Sequence, residues 1–124
     1  MVKYLFLFLL IGFFSCSKNQ TDEASMFGAT WKINYFFEAT DRTASYDVFY
    51  FMFNEDGTLM AHEGNRLTVG RWSEANGRMN ILFESKPLLL QLKRDWLIVE
   101  KMGSLIKLKD DLSDSNAELH FAKQ

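Results

Sequence analysis

The stretch 46–62 constrains the fold of this chain most, because apolar side chains alternate there on both sides of a tight turn. Phe49, Phe51 and Phe53 share one face of the first half, and this alternation of aromatic residues is typical of a half-buried strand. Asp56-Gly57 then supplies the positive φ that a hairpin turn needs. The stretch therefore predicts a β-hairpin.

The same plan repeats along the chain, with Asn76-Gly77 as the strongest hairpin signal. It predicts eight short strands: Thr30–Ala39, Tyr46–Phe53, Thr58–His62, Leu67–Glu74, Met79–Glu84, Trp96–Lys101, Leu105–Lys109 and Glu118–Ala122. Sequential hairpins without a crossover helix give an up-and-down antiparallel sheet. Closing eight strands into a β-barrel removes the exposed edges, so we predict an all-β barrel, with an open sandwich as the alternative.

Two features of the strands predict details of the interior. Trp31, Ile33, Tyr35 and Phe37 share one face of the first strand, which leaves Phe36 as an exception on the other face. Gly70-Arg71-Trp72 places a glycine two residues before a tryptophan, which permits a large ring to lie over bare backbone.

The segment Leu88–Lys93 follows the only proline and is ambiguous. It fits either a buried strand or one helical turn that closes an end of the barrel. Its leucines, rather than β-branched residues, favour a short helix.

The composition limits the classes of function. The chain has 124 residues, 14 basic and 16 acidic side chains and a net charge of −2. Lysine and arginine are scattered singly, so there is no electrostatic footprint for nucleic acid. A single cysteine, Cys16, excludes an internal disulfide.

The first fifteen residues are predicted to be a signal peptide. Lys3 precedes an apolar run, Tyr4–Phe14, which is too short to span a bilayer comfortably and has the length of a secretory segment. Ser15-Cys16 at its end resembles a bacterial lipobox, with Phe13 in place of the usual leucine. The resemblance implies lipid attachment at Cys16, and the alternative is a plain secreted or uncleaved N-terminus.

The residues after Cys16 are polar and aperiodic, so we predict a flexible tether over 16–26 and a barrel domain over 27–124. Ser17, rather than Asp, resembles the signal for sorting to the outer membrane.

Four motifs occur in order along the predicted domain: Gly28-x-x-Trp31, Phe51-x-Phe53-x-x-Asp56-Gly57-Thr58, Gly70-x-Trp72 and Asp95-Trp96-x-x-Val99-Glu100. Their order and spacing resemble the small lipocalin-like lipoproteins of Gram-negative bacteria, over about Gly28 to Phe121. The resemblance implies a lipocalin-like β-barrel on a lipid anchor in the cell envelope.

No constellation of catalytic or metal-binding residues is apparent in the sequence. His62 and His120 lie on separate predicted strands without ligands at metal-binding spacing. Asp110, Asp111 and Asp114 bunch together but lack the pattern of a calcium loop. No serine occupies a nucleophile elbow. We therefore predict no enzymatic activity, no metal and no cofactor.

The aromatic side chains are the remaining signal for function. The predicted ligand-binding residues are Trp31, Tyr35, Phe49, Phe51, Phe53, Trp72, Phe83 and Trp96. We favour a filled core over a pocket, because eight-stranded barrels are just wide enough to be filled by side chains. A pocket, if present, is expected to be apolar and open at one end, with Leu88–Leu92 as its lid.

Two functional hypotheses follow. The first, which we predict, is a membrane-anchored barrel that binds a small hydrophobic ligand in the envelope. The alternative is a protein-interaction or inhibitor module that contacts an envelope protein through the loops Thr40–Ser45 and Asp110–Asn116. A hollow interior favours the first hypothesis, and a packed interior with an exposed apolar patch favours the second.

Overall fold

The computed structural model describes residues 26–112 and 115–124. The predicted signal peptide 1–15, Cys16 and all of the predicted tether but Met26 lie outside these residues, as does Asp114.

The described chain forms nine strands and two short helical segments. The strands are β1 (Trp31–Glu38), β2 (Thr40–Asp41), β3 (Phe49–Phe53), β4 (Thr58–Glu63), β5 (Arg66–Ala75), β6 (Arg78–Leu82), β7 (Arg94–Lys101), β8 (Leu105–Lys109) and β9 (Glu118–Lys123). A 3₁₀ helix spans Thr43–Tyr46, and the single α-helical turn α1 spans Pro87–Leu90.

Eight of these strands close into an antiparallel barrel, as predicted. Strands β3 to β8 each pair with the next strand in sequence, and β1 pairs with both β3 and β9. The two-residue strand β2 turns back after β1 and pairs antiparallel with its last two residues. The β1–β3 junction has one registered pair, Trp31 with Phe51, and the 3₁₀ helix packs against β1 beyond it.

The predicted turns have the expected backbone. Asn76 and Gly77 both have positive φ, 56° and 76°, as a two-residue hairpin turn requires. Gly57 has φ of 92°, and the Asp56 carboxylate accepts hydrogen bonds from the Thr58 amide at 3.0 Å and hydroxyl at 2.8 Å. These hydrogen bonds lower the pKa of Asp56.

The predicted second strand begins too early. Tyr46 ends the 3₁₀ helix, and β3 starts only at Phe49. The Tyr46 ring is nevertheless fully buried, packed edge-on against Phe36. The ambiguous leucine segment contains a helical turn, whose Leu89 is fully buried.

The expectation that Tyr35 and Phe37 face the interior is wrong. The register of β1 against β9 shifts between Ile33 and Tyr35, which is a β-bulge. A shift of one residue turns every later side chain to the other face. Phe36, the predicted exception, is therefore fully buried, whereas Tyr35 lies beside His120, with ring centroids 4.9 Å apart.

Gly70 permits close packing, but the ring over it belongs to Phe83 and not to Trp72. A Cβ at Gly70 would lie 2.5 Å from the Leu82 carbonyl oxygen and 2.6 Å from Phe83 Cδ1. The glycine thus lets β5 and the end of β6 approach each other.

The barrel has two distinct ends. The hairpin end carries the turns 54–57, 76–77 and 102–104 and the first described turn, 26–28. The lid end carries the connections 39–48, 64–65 and 83–93 and the described parts of 110–117.

Candidate functional site

The barrel interior, where a ligand was predicted, is filled by side chains. Six of the eight predicted ligand-binding residues are at most 2% exposed: Trp31, Phe49, Phe51, Phe53, Phe83 and Trp96. Trp72 is partly buried against this core, and Tyr35 lies outside it.

The buried rings contact one another. Phe53 is at the centre of the cluster, with ring centroids 5.3 Å from Phe121, 5.6 Å from Trp72 and 6.2 Å from Trp31, all edge-on. These distances are those of packed aromatic pairs. The rings that a central ligand would have to contact are therefore already in contact with each other.

The polar atoms of the interior tryptophans are satisfied within the chain. Trp31 Nε1 donates to the Met26 carbonyl at 3.2 Å, and Trp96 Nε1 donates to the Leu92 carbonyl at 3.0 Å. Among residues 26–112 and 115–124, no buried side-chain polar atom lacks a partner. No polar group of this part of the interior is left for a ligand to satisfy.

A cleft of about 360 Å³ lies at the hairpin end. It is lined by Met26, Phe27, Trp72, Glu74, Ala75, Asn76 and Lys101. Trp72 Nε1 donates to the Asn54 carbonyl at 2.9 Å, and its ring packs against Phe27 at 5.9 Å. Lys101 Nζ pairs with Glu74 Oε1 at 2.7 Å across the opening. Trp72 is the one predicted ligand-binding residue that lines this cleft.

The lid end brings together the two loops that the sequence analysis singled out, 40–45 and 110–116. Arg94 donates to Asp110 Oδ2 in the second loop at 2.9 Å and to Glu38 Oε2, at the end of β1 before the first loop, at 3.1 Å. Its guanidinium also donates to the Gln91 carbonyl at 2.8 Å and stacks on the Trp96 ring at 4.8 Å. Asp110, Glu38 and Gln91, which belong to three separate segments at the lid end, are therefore joined by one arginine.

A second set of hydrogen bonds fixes the first loop to α1. Arg42 Nη1 donates to Gln91 Oε1 at 2.9 Å, and the Tyr46 hydroxyl donates to the Leu88 carbonyl at 2.7 Å. Burial raises the pKa of Tyr46 to about 12. The phenol therefore keeps its proton, and remains a hydrogen-bond donor, to a higher pH than an ordinary tyrosine.

The surface of the lid end is polar with two exposed leucines. Leu90 is 42% exposed and Leu112 is 65% exposed. Thr40, Asp41 and Ser45 are also exposed in the connections of this end. Apolar side chains within a polar surround are typical of the surface of a protein–protein contact.

Neither Arg94 nor Tyr46 was predicted from the sequence as a residue of this site. Arg94 precedes Trp96 by two residues, so the two side chains share one face of β7. The two-residue spacing from a tryptophan predicted to be buried could have indicated that Arg94 is partly buried. Tyr46 was placed on a strand, and nothing in the local pattern indicates its contact with residue 88, 42 positions away.

The two histidines, the remaining candidates for a catalytic or metal-binding site, lie on separate strands. His62 is on β4 and His120 is on β9, where it lies 3.3 Å from Glu118. Within the described ranges, no three histidine, cysteine or acidic residues come close enough to hold a metal ion. Nor does any helix of those ranges have the length and hydropathy needed to cross a membrane.

Comparison with known proteins gives no match to a family model, to a curated protein or to a solved structure.

Proposed function

We propose that this chain is a lipid-anchored, lipocalin-like barrel of the bacterial cell envelope that acts as a protein-interaction module through its surface. The proposal selects the second of the two hypotheses that the sequence left open. It assigns no catalytic step to the chain.

The packed interior is the observation that carries the proposal. Aromatic rings fill the barrel from Trp31 at one end to Trp96 at the other, with edge-on contacts between them. Opening a space for a small molecule inside would require moving several rings, and packing of this density resists such rearrangement. A function at the surface requires no such change.

The lid end is our candidate for the contact with a partner. Arg94 and Arg42 brace its loops through hydrogen bonds to Asp110, Glu38 and Gln91. A braced surface loses little conformational entropy on binding, which favours affinity. Leu90 and Leu112 supply exposed apolar side chains for the centre of a contact.

The anchor is proposed from the sequence alone. A lipid on Cys16, sorted to the outer membrane by Ser17, would hold the barrel at the envelope. Stable anchoring takes more than one acyl chain, and bacterial lipoproteins carry several.

Binding of a small hydrophobic ligand is the second candidate, and the hairpin-end cleft favours it. The cleft has the volume of a small ligand site, about 360 Å³, with Trp72 and Phe27 as its apolar part. In this version the ligand occupies the mouth of the barrel instead of its centre.

Fatty-acid labelling in a Gram-negative host tests the anchor. The wild-type chain is expected to incorporate label and to fractionate with the outer membrane, whereas Cys16→Ser is expected to lose both. An unlabelled wild-type chain would contradict the anchor.

Site-specific photo-crosslinking in the same host tests the interaction module. A photo-reactive phenylalanine at Leu112 is expected to give a crosslinked product of defined mass, and the same residue at Asn76, on the hairpin end, serves as the control. Native mass spectrometry of the purified chain discriminates the second candidate: a bound small molecule that is lost on Trp72→Ala would favour ligand binding.

A further inference from the structure

We propose that the outer face of β3, β4 and β5 rests on the phospholipid surface to which the chain is anchored. We define this β3–β5 face by its apolar side chains: Val48, Tyr50, Met52, Met60, Leu67 and Val69. The inference rests on the proposed anchor at Cys16 and adds the orientation of the barrel on the membrane.

The strand register makes this face continuous. Tyr50 pairs with His62, and His62 pairs with Leu67, so these three form one row across the strands. Met52, Met60 and Val69 form the next row on the same side. The two rows contain no charged residue other than a titratable histidine.

The face is exposed as well as apolar. Val48, Tyr50, Leu67 and Val69 are each between 45% and 55% exposed. Large apolar side chains that are scattered singly need no explanation, but a contiguous group on neighbouring strands marks a contact surface.

The opposite wall of the barrel has a different character. Lys107 on β8 pairs with Glu100 on β7 at 3.4 Å, and His120 on β9 lies 3.3 Å from Glu118. Arg78 on β6 pairs with Asp95 on β7. This wall therefore carries ion pairs around a single strongly exposed apolar side chain, Val99 on β7, whereas the apolar side chains of the β3–β5 face lie together.

Cationic side chains border the apolar face. Lys32 Nζ lies 4.5 Å from the centre of the Tyr50 ring, and Arg66 and Arg71 are exposed at the two ends of the β5 portion of the face. The acidic neighbours Asp47 and Glu63 are each paired with a lysine at 3.4 Å. Tyrosine and basic residues at the border suit the headgroup region of a bilayer, where lipid phosphates lie.

The point at which the described chain begins favours the membrane as the occupant. Phe27 packs against Trp72, which is on β5, the same strand as Val69. Val69 and Trp72 are three residues apart, or about 10 Å along a strand. The ten residues from Cys16 to Met26 span at most about 36 Å when extended. An anchored barrel is thus held where this face can reach the bilayer, at a high effective concentration.

A lipid surface also suits the shape of the face. The strands of a closed barrel curve outward, and an open depression of about 560 Å³ lies beside Val48 and Tyr50 at one end of the face. A rigid protein partner would need a surface that matches both features to bury the roughly 800 Å² that a stable interface takes from each side. A fluid lipid surface conforms to a convex apolar face without a matching shape.

Environment-sensitive fluorescence on the full-length lipoprotein tests the inference. Cys16 is the only cysteine of the chain, and its thiol is used by the lipid, so an introduced cysteine is the only one free for labelling. Val69→Cys reports on the β3–β5 face. Lys109→Cys is the control, since it is exposed on β8, four strands from β4 in the barrel. Both proteins are reconstituted in vesicles of phosphatidylethanolamine and phosphatidylglycerol.

We expect blue-shifted emission at position 69, with strong quenching by nitroxide-labelled lipid, and water-like emission at position 109. Equal, water-like emission at both positions in vesicles that carry the protein would overturn the docking while leaving the anchor intact. Failure of the protein to float with vesicles would overturn the anchor and the docking with it. A blue shift at 69 that disappears on dilution with lipid would indicate a second copy of the chain on the face, and would also overturn the proposal.

Discussion

Arg94 Nη1 donates a hydrogen bond to Asp110 Oδ2 at 2.9 Å, and this pair joins the strand after the α1 connection to the loop before β9. Asp110 is only 5% exposed. A carboxylate so buried is costly without a partner, so the arginine stabilises the lid end by pairing with it.

We therefore expect Arg94→Ala to lower the free energy of unfolding by about 2–4 kcal/mol, because it leaves Asp110 buried and unpaired. Chemical denaturation measures the loss. Arg66→Ala is the matched control: Arg66 is exposed on β5, and its removal should cost less than about 0.5 kcal/mol. Equal effects would show that the Arg94 pair does not stabilise the lid end.

The packed interior gives a second prediction. Phe51→Ala should lower the free energy of unfolding by about 3–5 kcal/mol, since it removes a fully buried ring that packs edge-on against Phe121 at 5.4 Å. Tyr35→Ala should cost much less, because the bulge in β1 places Tyr35 on the outside. A larger loss for Tyr35→Ala would contradict the position of the bulge.

Substitution of Gly70 tests whether β5 and the end of β6 approach each other closely. Gly70→Ala places a methyl group 2.5 Å from a backbone carbonyl oxygen that cannot move cheaply, so we expect a loss of about 3 kcal/mol. Gly64→Ala is the control: its φ of 59° strains an alanine, but no atom lies within 4 Å of the new Cβ, so the cost should be about 1 kcal/mol. Thermal unfolding of both variants ranks the two effects, and the reverse order would refute the packing argument.

The raised pKa of Tyr46 predicts how the free energy of unfolding changes at alkaline pH. Its pKa is raised to about 12 in the fold, against about 10 in the unfolded chain, so the folded state holds the proton more tightly. The stabilisation is complete below pH 10 and declines as the pH rises from 10 to 12, because the unfolded state then loses its proton first.

Absorbance titration of the phenolate band measures this directly. A step with a pKa of about 12 should appear in the titration, and this late step should be absent in Tyr46→Phe. The decline in stability between pH 10 and pH 12 should also be smaller in that variant. A late step that persists without Tyr46 would assign it to another residue.

The sequence by itself determined the strands and their order. Alternation of apolar residues predicted β4, β8 and β9 to within one residue, and Asn76-Gly77 predicted the turn between β5 and β6. These signals are local, because strand periodicity and turn backbone depend on residues a few positions apart. The number of strands and the absence of crossovers predicted the barrel, with an open sandwich as the alternative, and the pairing of β1 with β9 in the tertiary structure decided between them.

The tertiary structure decided which aromatic rings are inside, how tightly they pack and what closes the ends. Because of the bulge at Asn34, Phe36 lies in the interior in place of Tyr35. The bulge is visible only in the pairing of β1 with β9. The contact of Arg94 with Asp110 and that of Tyr46 with Leu88 join residues 16 and 42 positions apart. The energies of these contacts depend on burial and on atomic distances, which are set only when the barrel closes. A local pattern of residue types gives neither the burial nor the distances.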